Sequence, residues 1–333
     1  MREEKGLKRV AFFDTKPYDK IWFDKFNNNY DIVYFENKLN KNTAFMTQNF
    51  NAVVAFVNDK INADTVNELI KNKVEVIALR CAGYNNVDLE AAKGKIKIVR
   101  VPEYSPYAVA EHAMALLLSL NRKIHRAYIR TRDRNFSLEG LIGFDLHGKT
   151  IGIIGTGKIG QVFINICKGF GMNVIAYDPF PAENHDINYV TLEKLFKDSD
   201  IISLHCPLTR DTFHIIDKYT LSCMKNGVYI INTSRGALIE SEALVEALKS
   251  SKVGAAALDV YEEESNFFFK DLSNSIVNDD ILTVLSCMPN VLITSHQAFF
   301  TNEALENIAK TTFDNLDEYF NNKKLTNEVK YEE

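Results

Sequence analysis

Short apolar runs punctuate the first hundred residues of this chain, at Val10 to Phe13, Ile32 to Phe35, Ala52 to Val57, Val74 to Leu79 and Ile96 to Val101. They are largely continuous in Val, Ile and Phe rather than alternating, the pattern of strands buried on both faces of a parallel sheet. Between them, Ala63 to Lys71 and Leu89 to Lys93 suit helices. Pro106 then opens a segment free of Gly and Pro that runs to about Arg134, with Ala110, Ala113, Met114, Leu117, Leu118 and Leu120 on a broad apolar face. This spacing predicts one long helix and, on it, either a contact with a second copy of the chain or packing within its own domain.

A second alternating series follows Gly148: Thr150 to Ile154, Asn173 to Tyr177, Ile201 to His205, Val228 to Asn232, Ala255 to Asp259 and Val291 to Thr294. Helical patterns such as Glu242 to Lys249 join these six candidate strands, and Asn302 to Tyr319 forms a closing helix. Strands alternating with helices predict an α/β protein with doubly wound parallel sheets. The economical layout inserts the second unit into the first, with the chain returning at its end.

Composition narrows the class. A chain of 333 residues suggests two domains sharing a cleft. With 46% hydrophobic and 25% charged residues the balance is that of an ordinary globular protein, which argues against disorder. A net charge of -5 provides no basic footprint for nucleic acid or an anionic membrane. Cys81, Cys167, Cys206, Cys223 and Cys287 are odd in number and scattered, so no disulfide framework is expected and a reducing cytoplasm is the default. The charged opening, Met1 to Gly6, shows no signal peptide, Ala113 to Leu118 is too short to span a bilayer, and no metal is expected.

Candidate chemistry begins at Gly155, Thr156, Gly157, Lys158, Ile159 and Gly160, where a strand runs into a glycine-rich turn and then into the periodic helix Gln161 to Phe170. The first glycine permits a tight turn, the second lets backbone approach a pyrophosphate, and the third lets helix pack on strand. The helix start adds free N–H groups and a positive dipole end. The next strand ends in Asp178, about 20 residues past the glycines, where an acid grips ribose hydroxyls. A carboxylate there repels a 2′-phosphate, and Pro179-Phe180-Pro181 supplies no cation, so NAD is favoured over NADP.

Three polar residues follow strand ends in the second half: Arg235 after Tyr229 to Asn232, Glu264 after Leu258-Asp259, and His296 after Val291 to Thr294. In doubly wound sheets such ends form the ligand crevice. A guanidinium holds a carboxylate bidentately. An imidazole can deliver a proton near neutrality. A carboxylate on its far nitrogen orients it and favours the imidazolium. Together they suit hydride transfer to a 2-keto acid, although the run Glu262-Glu263-Glu264 leaves the register of the acid open between neighbours.

At these positions the chain resembles the D-isomer-specific 2-hydroxyacid dehydrogenases. The resembling strings are Leu79 to Asp88, Val101 to Pro106, Gly155 to Gly160, Ser203 to Leu208, Asn232 to Leu238, Leu258 to Glu264 and His296 to Phe299, in the family's order over nearly the whole chain. The resemblance implies Arg235, Glu264 and His296 as the catalytic residues, and a substrate-carboxylate loop of backbone amides at Cys81, Ala82 and Gly83. It places an aromatic residue reaching the substrate pocket at Tyr104. It implies that Lys158, Ile159, Cys206, Pro207, Thr212, Thr233 and Ser234 line the cofactor, with Asp259 near its nicotinamide side. Tyr107, after Ser105-Pro106, is larger than the residue many relatives carry. Tyr104, Phe299 and Phe300 leave room for a small apolar side chain, so pyruvate and D-lactate are the favoured pair. The fold implied is a Rossmann-type NAD domain, residues 102–299, inserted into a flavodoxin-like substrate domain of residues 1–101 and 300–333. A larger 2-keto acid, or an NAD-sensing binding protein of the same fold, stays open at this point.

Overall fold

The computed structural model describes residues 7–182 and 186–330; the charged opening Met1 to Gly6 lies outside the described residues. The chain divides into two compact units, residues 1–105 with 300–333, and residues 106–299.

The first unit contains β1 (Lys8–Phe12), α1 (Pro17–Phe26), β2 (Tyr30–Tyr34), β3 (Ala52–Ala55), α2 (Ala63–Lys71), β4 (Val76–Leu79), α3 (Leu89–Ala92) and β5 (Lys97–Arg100). The strands form one parallel sheet in the order β2-β1-β3-β4-β5. Every residue of β3 and β4 is buried, which is why these strands read as unbroken apolar runs. Asn62 and Asp88 cap the helices that follow, accepting from the N–H groups of Thr65 and Ala91.

The second unit contains α4 (Pro106–Arg122), α5 (Ile124–Arg132), β6 (Thr150–Ile154), α6 (Lys158–Gly169), β7 (Asn173–Tyr177), α7 (Leu192–Asp198), β8 (Ile201–Leu204), α8 (Lys218–Cys223), β9 (Val228–Asn232), α9 (Ser241–Lys249), β10 (Val253–Leu258), α10 (Asp280–Cys287) and β11 (Val291–Ile293). Its strands are also parallel, in the order β11-β10-β9-β8-β6-β7. Tyr189 adds a single parallel bridge to Ala176 on the far side of β7, a third strand reduced to one residue. Counted with that remnant, the sheet follows the dinucleotide-binding order, and its topological switch point falls between β6 and β8. A final helix, α11 (Asn302–Phe320), belongs to the first unit and packs on α1 and β4.

The doubly wound parallel sheets expected from the alternation are both present. The single long helix is not. Lys123 takes a left-handed conformation (φ 51°, ψ 37°) and ends α4, so α5 starts afresh. The apolar face is the physical reason. It buries Ala110, Ala113, Met114, Leu117 and Leu120 against Phe163 and Ile164 of α6, but ends there, and α5 has no buried residue. Asn121 and Lys123 turn instead to the following loop: Asn121 Nδ2 donates to the Phe144 carbonyl (2.7 Å), the Phe144 N–H donates to Asn121 Oδ1 (2.9 Å), and Lys123 Nζ donates to the Ile142 carbonyl (2.6 Å). Each fully buried Leu or Phe of the α4–α6 seam contributes about 1.5–3 kcal/mol of transfer free energy. Among the described residues no helix is long and apolar enough to cross a membrane.

Candidate active site

The glycine turn after β6 has the geometry a bound pyrophosphate needs. Gly155 has φ +95°, and a Cβ there would lie 2.6 Å from the Cys206 nitrogen at the end of β8. A Cβ on Gly160 would stand 2.1 Å from the Gly155 carbonyl oxygen, so only hydrogen lets α6 seat on β6. At Gly157 a Cβ would meet nothing within 4 Å. That open cradle sits at the start of α6, whose N-cap is Gly157 itself with no side chain filling the cap.

Asp178 directly follows β7 and is drawn into this turn. Its Oδ2 accepts from the Thr156 N–H (2.7 Å) and hydroxyl (3.0 Å), and its Oδ1 accepts from the Phe180 N–H (2.9 Å). Tyr189 OH lies 2.9 Å from the Thr156 hydroxyl, and Gln161 Nε2 donates to the Thr156 carbonyl (2.9 Å). Asp178 thus fixes the loop whose ligand it is expected to read. Lys158 and Ile159 open α6.

Cys206 is buried, and that burial pushes its thiol up to about 12, leaving an inert wall residue. Thr212 Oγ1 donates back to the Pro207 carbonyl (2.6 Å) and closes the loop between them. Ser234 donates its hydroxyl to the Cys206 carbonyl (2.6 Å), tying the ends of β9 and β8. Beside it, Thr233 Oγ1 is buried with no hydrogen-bond partner among the described residues. A buried hydroxyl left unpaired costs about 1–3 kcal/mol, a cost a bound ligand would relieve. The cradle at Gly157 and this orphaned hydroxyl both fit a dinucleotide.

Arg235, Glu264 and His296 follow three neighbouring strands. Asn232, Leu258 and Ile293 are level in the register of β9, β10 and β11, and each candidate lies beyond that line. Arg235 is half-buried; Nη1 donates to the Ser234 carbonyl (2.7 Å), Asn232 Nδ2 holds its own carbonyl (2.8 Å), and it forms no ion pair among the described residues. The guanidinium is therefore available to an anion.

His296 Nδ1 lies 2.7 Å from Glu264 Oε1, and the second carboxylate oxygen accepts from the Tyr261 N–H at 3.0 Å. Both oxygens are engaged, so the acid cannot swing away from the ring. The glutamate run is also sorted. Glu262 pairs with His214 (2.6 Å), Glu263 is exposed, and Glu264 alone reaches His296.

Beneath His296 sits Asp259, fully buried. Its Oδ1 accepts from the Thr294 hydroxyl (2.6 Å) and the Gln297 N–H (2.9 Å), its Oδ2 from the Ala298 N–H (2.8 Å), and its backbone carbonyl from the His296 N–H (2.7 Å). Burial raises its pKa, but hydrogen bonds from His112, Thr294, Ala298 and Gln297 outweigh it and hold the carboxyl below its usual range. What the structure gives Asp259 is the grip on residues 294–298, the loop that presents His296 with φ +54°. Phe299, next along, is buried.

In the first unit, Cys81, Ala82 and Gly83 follow β4. Arg100 Nη1 donates to the Ala82 carbonyl (2.7 Å), and Cys81 Sγ donates to the Gly83 carbonyl (3.3 Å). Arg80, just before them, is buried between the Phe12 and Phe56 rings and bonds to Asp19 and to the Asp14 carbonyl. The Tyr104 carbonyl accepts from Asn307 Nδ2 at 2.7 Å.

Sequence reasoning missed several supports: the His214–Glu262 pair, His112 beneath Thr294 and Asp259, Tyr189 on the glycine loop, and Arg80 and Arg100 around Ala82. Only the acidic run hinted at one of them, because a side chain that braces another carries no local spacing rule.

Comparison with known proteins gives the same assignment. Residues 114–298 match the family model for the D-isomer specific 2-hydroxyacid dehydrogenase, NAD binding domain. The 2-hydroxyacid dehydrogenase homolog 1 of Schizosaccharomyces pombe is 52% identical over 318 residues, covering 93% of this chain and 96% of the relative. D-lactate dehydrogenase of Escherichia coli is 51% identical over 314 residues, covering 92% and 95%. A solved structure of the pyruvate reductase of Chlamydomonas reinhardtii superposes with a TM-score of 0.90 at 43% identity, covering 97% of this chain and 99% of that one. The chain belongs to the D-isomer-specific 2-hydroxyacid dehydrogenases, with an NAD-binding domain in its second unit.

Proposed function

We propose that this protein reduces pyruvate to D-lactate with NADH, reversibly, and that His296 is its acid and base. The observation that carries this reading is the 2.7 Å contact between His296 Nδ1 and Glu264 Oε1, with each partner separately anchored to backbone. With Nδ1–H held by the carboxylate, Nε2 is the nitrogen left to work on substrate. The charged ring gives its Nε2 proton to the carbonyl oxygen of the keto acid, and the neutral ring recovers a proton from solvent before the next turnover. Glu264 stabilises the imidazolium without taking the proton itself. Arg235 holds the substrate carboxylate with its planar fork, joined by the backbone amides of Cys81, Ala82 and Gly83. The bound nicotinamide supplies the hydride. Gly155 to Gly160, Asp178, Cys206, Pro207, Thr212, Thr233 and Ser234 hold the cofactor.

Pyruvate is favoured because the Escherichia coli relative is a D-lactate dehydrogenase and the Chlamydomonas structure is of a pyruvate reductase. The expectation from the sequence that Tyr104 and Phe299 leave room for a small apolar side chain agrees with this substrate. We assign the first unit to substrate and the second to cofactor. The enzyme works as a homo-oligomer: Tyr128 and Ile129 of α5, with Phe136, Leu138 and Ile142 after it, are each at least 59% exposed, an apolar surface that suits a second copy of the chain. All five cysteines are unpaired, in keeping with a reducing, cytoplasmic setting.

The test is loss of NADH absorbance on adding pyruvate, followed by chiral analysis of the product and a series of 2-keto acids with longer side chains. The expected result is D-lactate, with kcat/KM falling as the chain lengthens. No turnover of pyruvate, or a preference for a longer acid, overturns the substrate assignment.

A further inference from the structure

Two imidazole–carboxylate pairs hang from one short loop. Glu264 holds His296, and two residues earlier Glu262 holds His214, Nε2 to Oε1, at 2.6 Å. The second pair does not bond to Glu264 or His296, yet it bonds to the segment that directly follows Arg235. The other Glu262 oxygen accepts from the Ser241 N–H at the start of α9 (3.2 Å). The His214 N–H donates to the Ala237 carbonyl (2.9 Å), two residues past Arg235. Between these contacts lies Gly236, where a Cβ would stand 2.1 Å from the Tyr261 carbonyl carbon and 2.4 Å from the Glu262 nitrogen. The backbone beside Arg235 is pressed flat on the peptide that carries Glu262.

We infer that His214 and Glu262 form a latch that sets the position of Arg235, making His214 a positioning residue for the substrate carboxylate. The pair clamps the loop after β8, the loop after β9 and the loop after β10 to one another, and His214 packs face to face on Phe213 at 3.9 Å. Glu264 does not depend on the latch, because the Tyr261 N–H and His296 hold it directly. Loosening the latch therefore weakens the grip on substrate and leaves proton transfer in place.

The inference rests on the proposed function, and the experiment separates the two. Wild type, His214→Phe and His214→Gln are compared in steady state with NADH and pyruvate. The Phe variant keeps the flat ring and loses the donor; the Gln variant restores a donor near Nε2. The expected result is a KM for pyruvate raised about tenfold in His214→Phe with kcat within about twofold, the mark of lost substrate binding, and largely recovered in His214→Gln. An unchanged KM, a kcat that falls as far as KM rises, or a Gln variant no better than Phe overturns the latch. If His214→Phe does not fold, Glu262→Gln must raise KM in the same way, and its failure to do so is equally decisive. If wild type itself turns over no 2-keto acid, the function falls. The latch is then read from hydrogen exchange at the Ser241 amide, which must quicken in His214→Phe and not in His214→Gln.

Discussion

The Asp259 carbonyl accepts the backbone N–H of His296 over 2.7 Å, while the Asp259 carboxylate holds Thr294, Gln297 and Ala298 on either side. One buried side chain therefore shapes the whole turn that carries the imidazole. In Asp259→Asn the amide nitrogen must face either the Gln297 or the Ala298 N–H, donor against donor. The expected outcome is a loss of about 1–3 kcal/mol of stability and a kcat reduced at least tenfold, with NADH affinity less affected. Denaturant unfolding and steady-state kinetics on the same preparation check it. An unchanged kcat would detach Asp259 from the placement of His296.

Acid should weaken the fold in part through that same group. Its carboxyl is held below the usual range in the folded chain, so it contributes stability above the unfolded value of about 4, lost as pH falls through the lower folded value. Comparing wild type with Asp259→Asn across that window isolates the contribution.

His205 makes the pH dependence extend higher. It packs on Phe163 with ring centres 4.8 Å apart and bonds through Nε2 to Ser203 Oγ, and burial pushes its pKa down to about 3. The folded ring is neutral where the unfolded one, titrating near 6.5, is charged. Between those values the unfolded state binds more protons, so stability is complete above about pH 6.5 and declines as pH drops toward 3. Urea unfolding at pH 7.5 and pH 5 should differ by about 1–2 kcal/mol from this residue, and His205→Gln should remove that share. Equal slopes in the two proteins would contradict it.

Much of this was readable in the sequence, because some constraints are local. Gly155, Gly157 and Gly160 announce themselves since a turn, an open approach and a close helix–strand contact each demand the absence of a Cβ. Arg235, Glu264 and His296 could be singled out only together, because each alone after a strand end reads as an ordinary surface or turn residue, and it is the shared strand-end position of β9, β10 and β11 that groups them. The break at Lys123 was hidden, since no glycine or proline marks it: the buried apolar face stops at Leu120, and Asn121 then bonds to a loop more than twenty residues away. His112 was hidden too, sitting in an apolar helix beneath Thr294. The glutamate register became legible only when two different histidines, far apart in sequence, claimed Glu262 and Glu264.

Replacing Arg235 with Lys keeps the charge and removes the fork. The planar guanidinium matches a carboxylate in two contacts, and an ammonium offers one point charge. We expect KM for pyruvate to rise about 10- to 100-fold, roughly 1.4–2.8 kcal/mol of binding. Inhibition by a non-reducible 2-keto acid analogue should weaken by the same factor. Retention of the wild-type KM would remove Arg235 from the substrate.

The central claim is that His296, braced by Glu264, passes the proton. It is tested most directly by the kcat of His296→Gln with saturating NADH and pyruvate, with NADH affinity measured by fluorescence on the same protein. The account predicts a kcat lower by about two to four orders of magnitude with the NADH dissociation constant within a few-fold of wild type. Turnover close to that of wild type would contradict it.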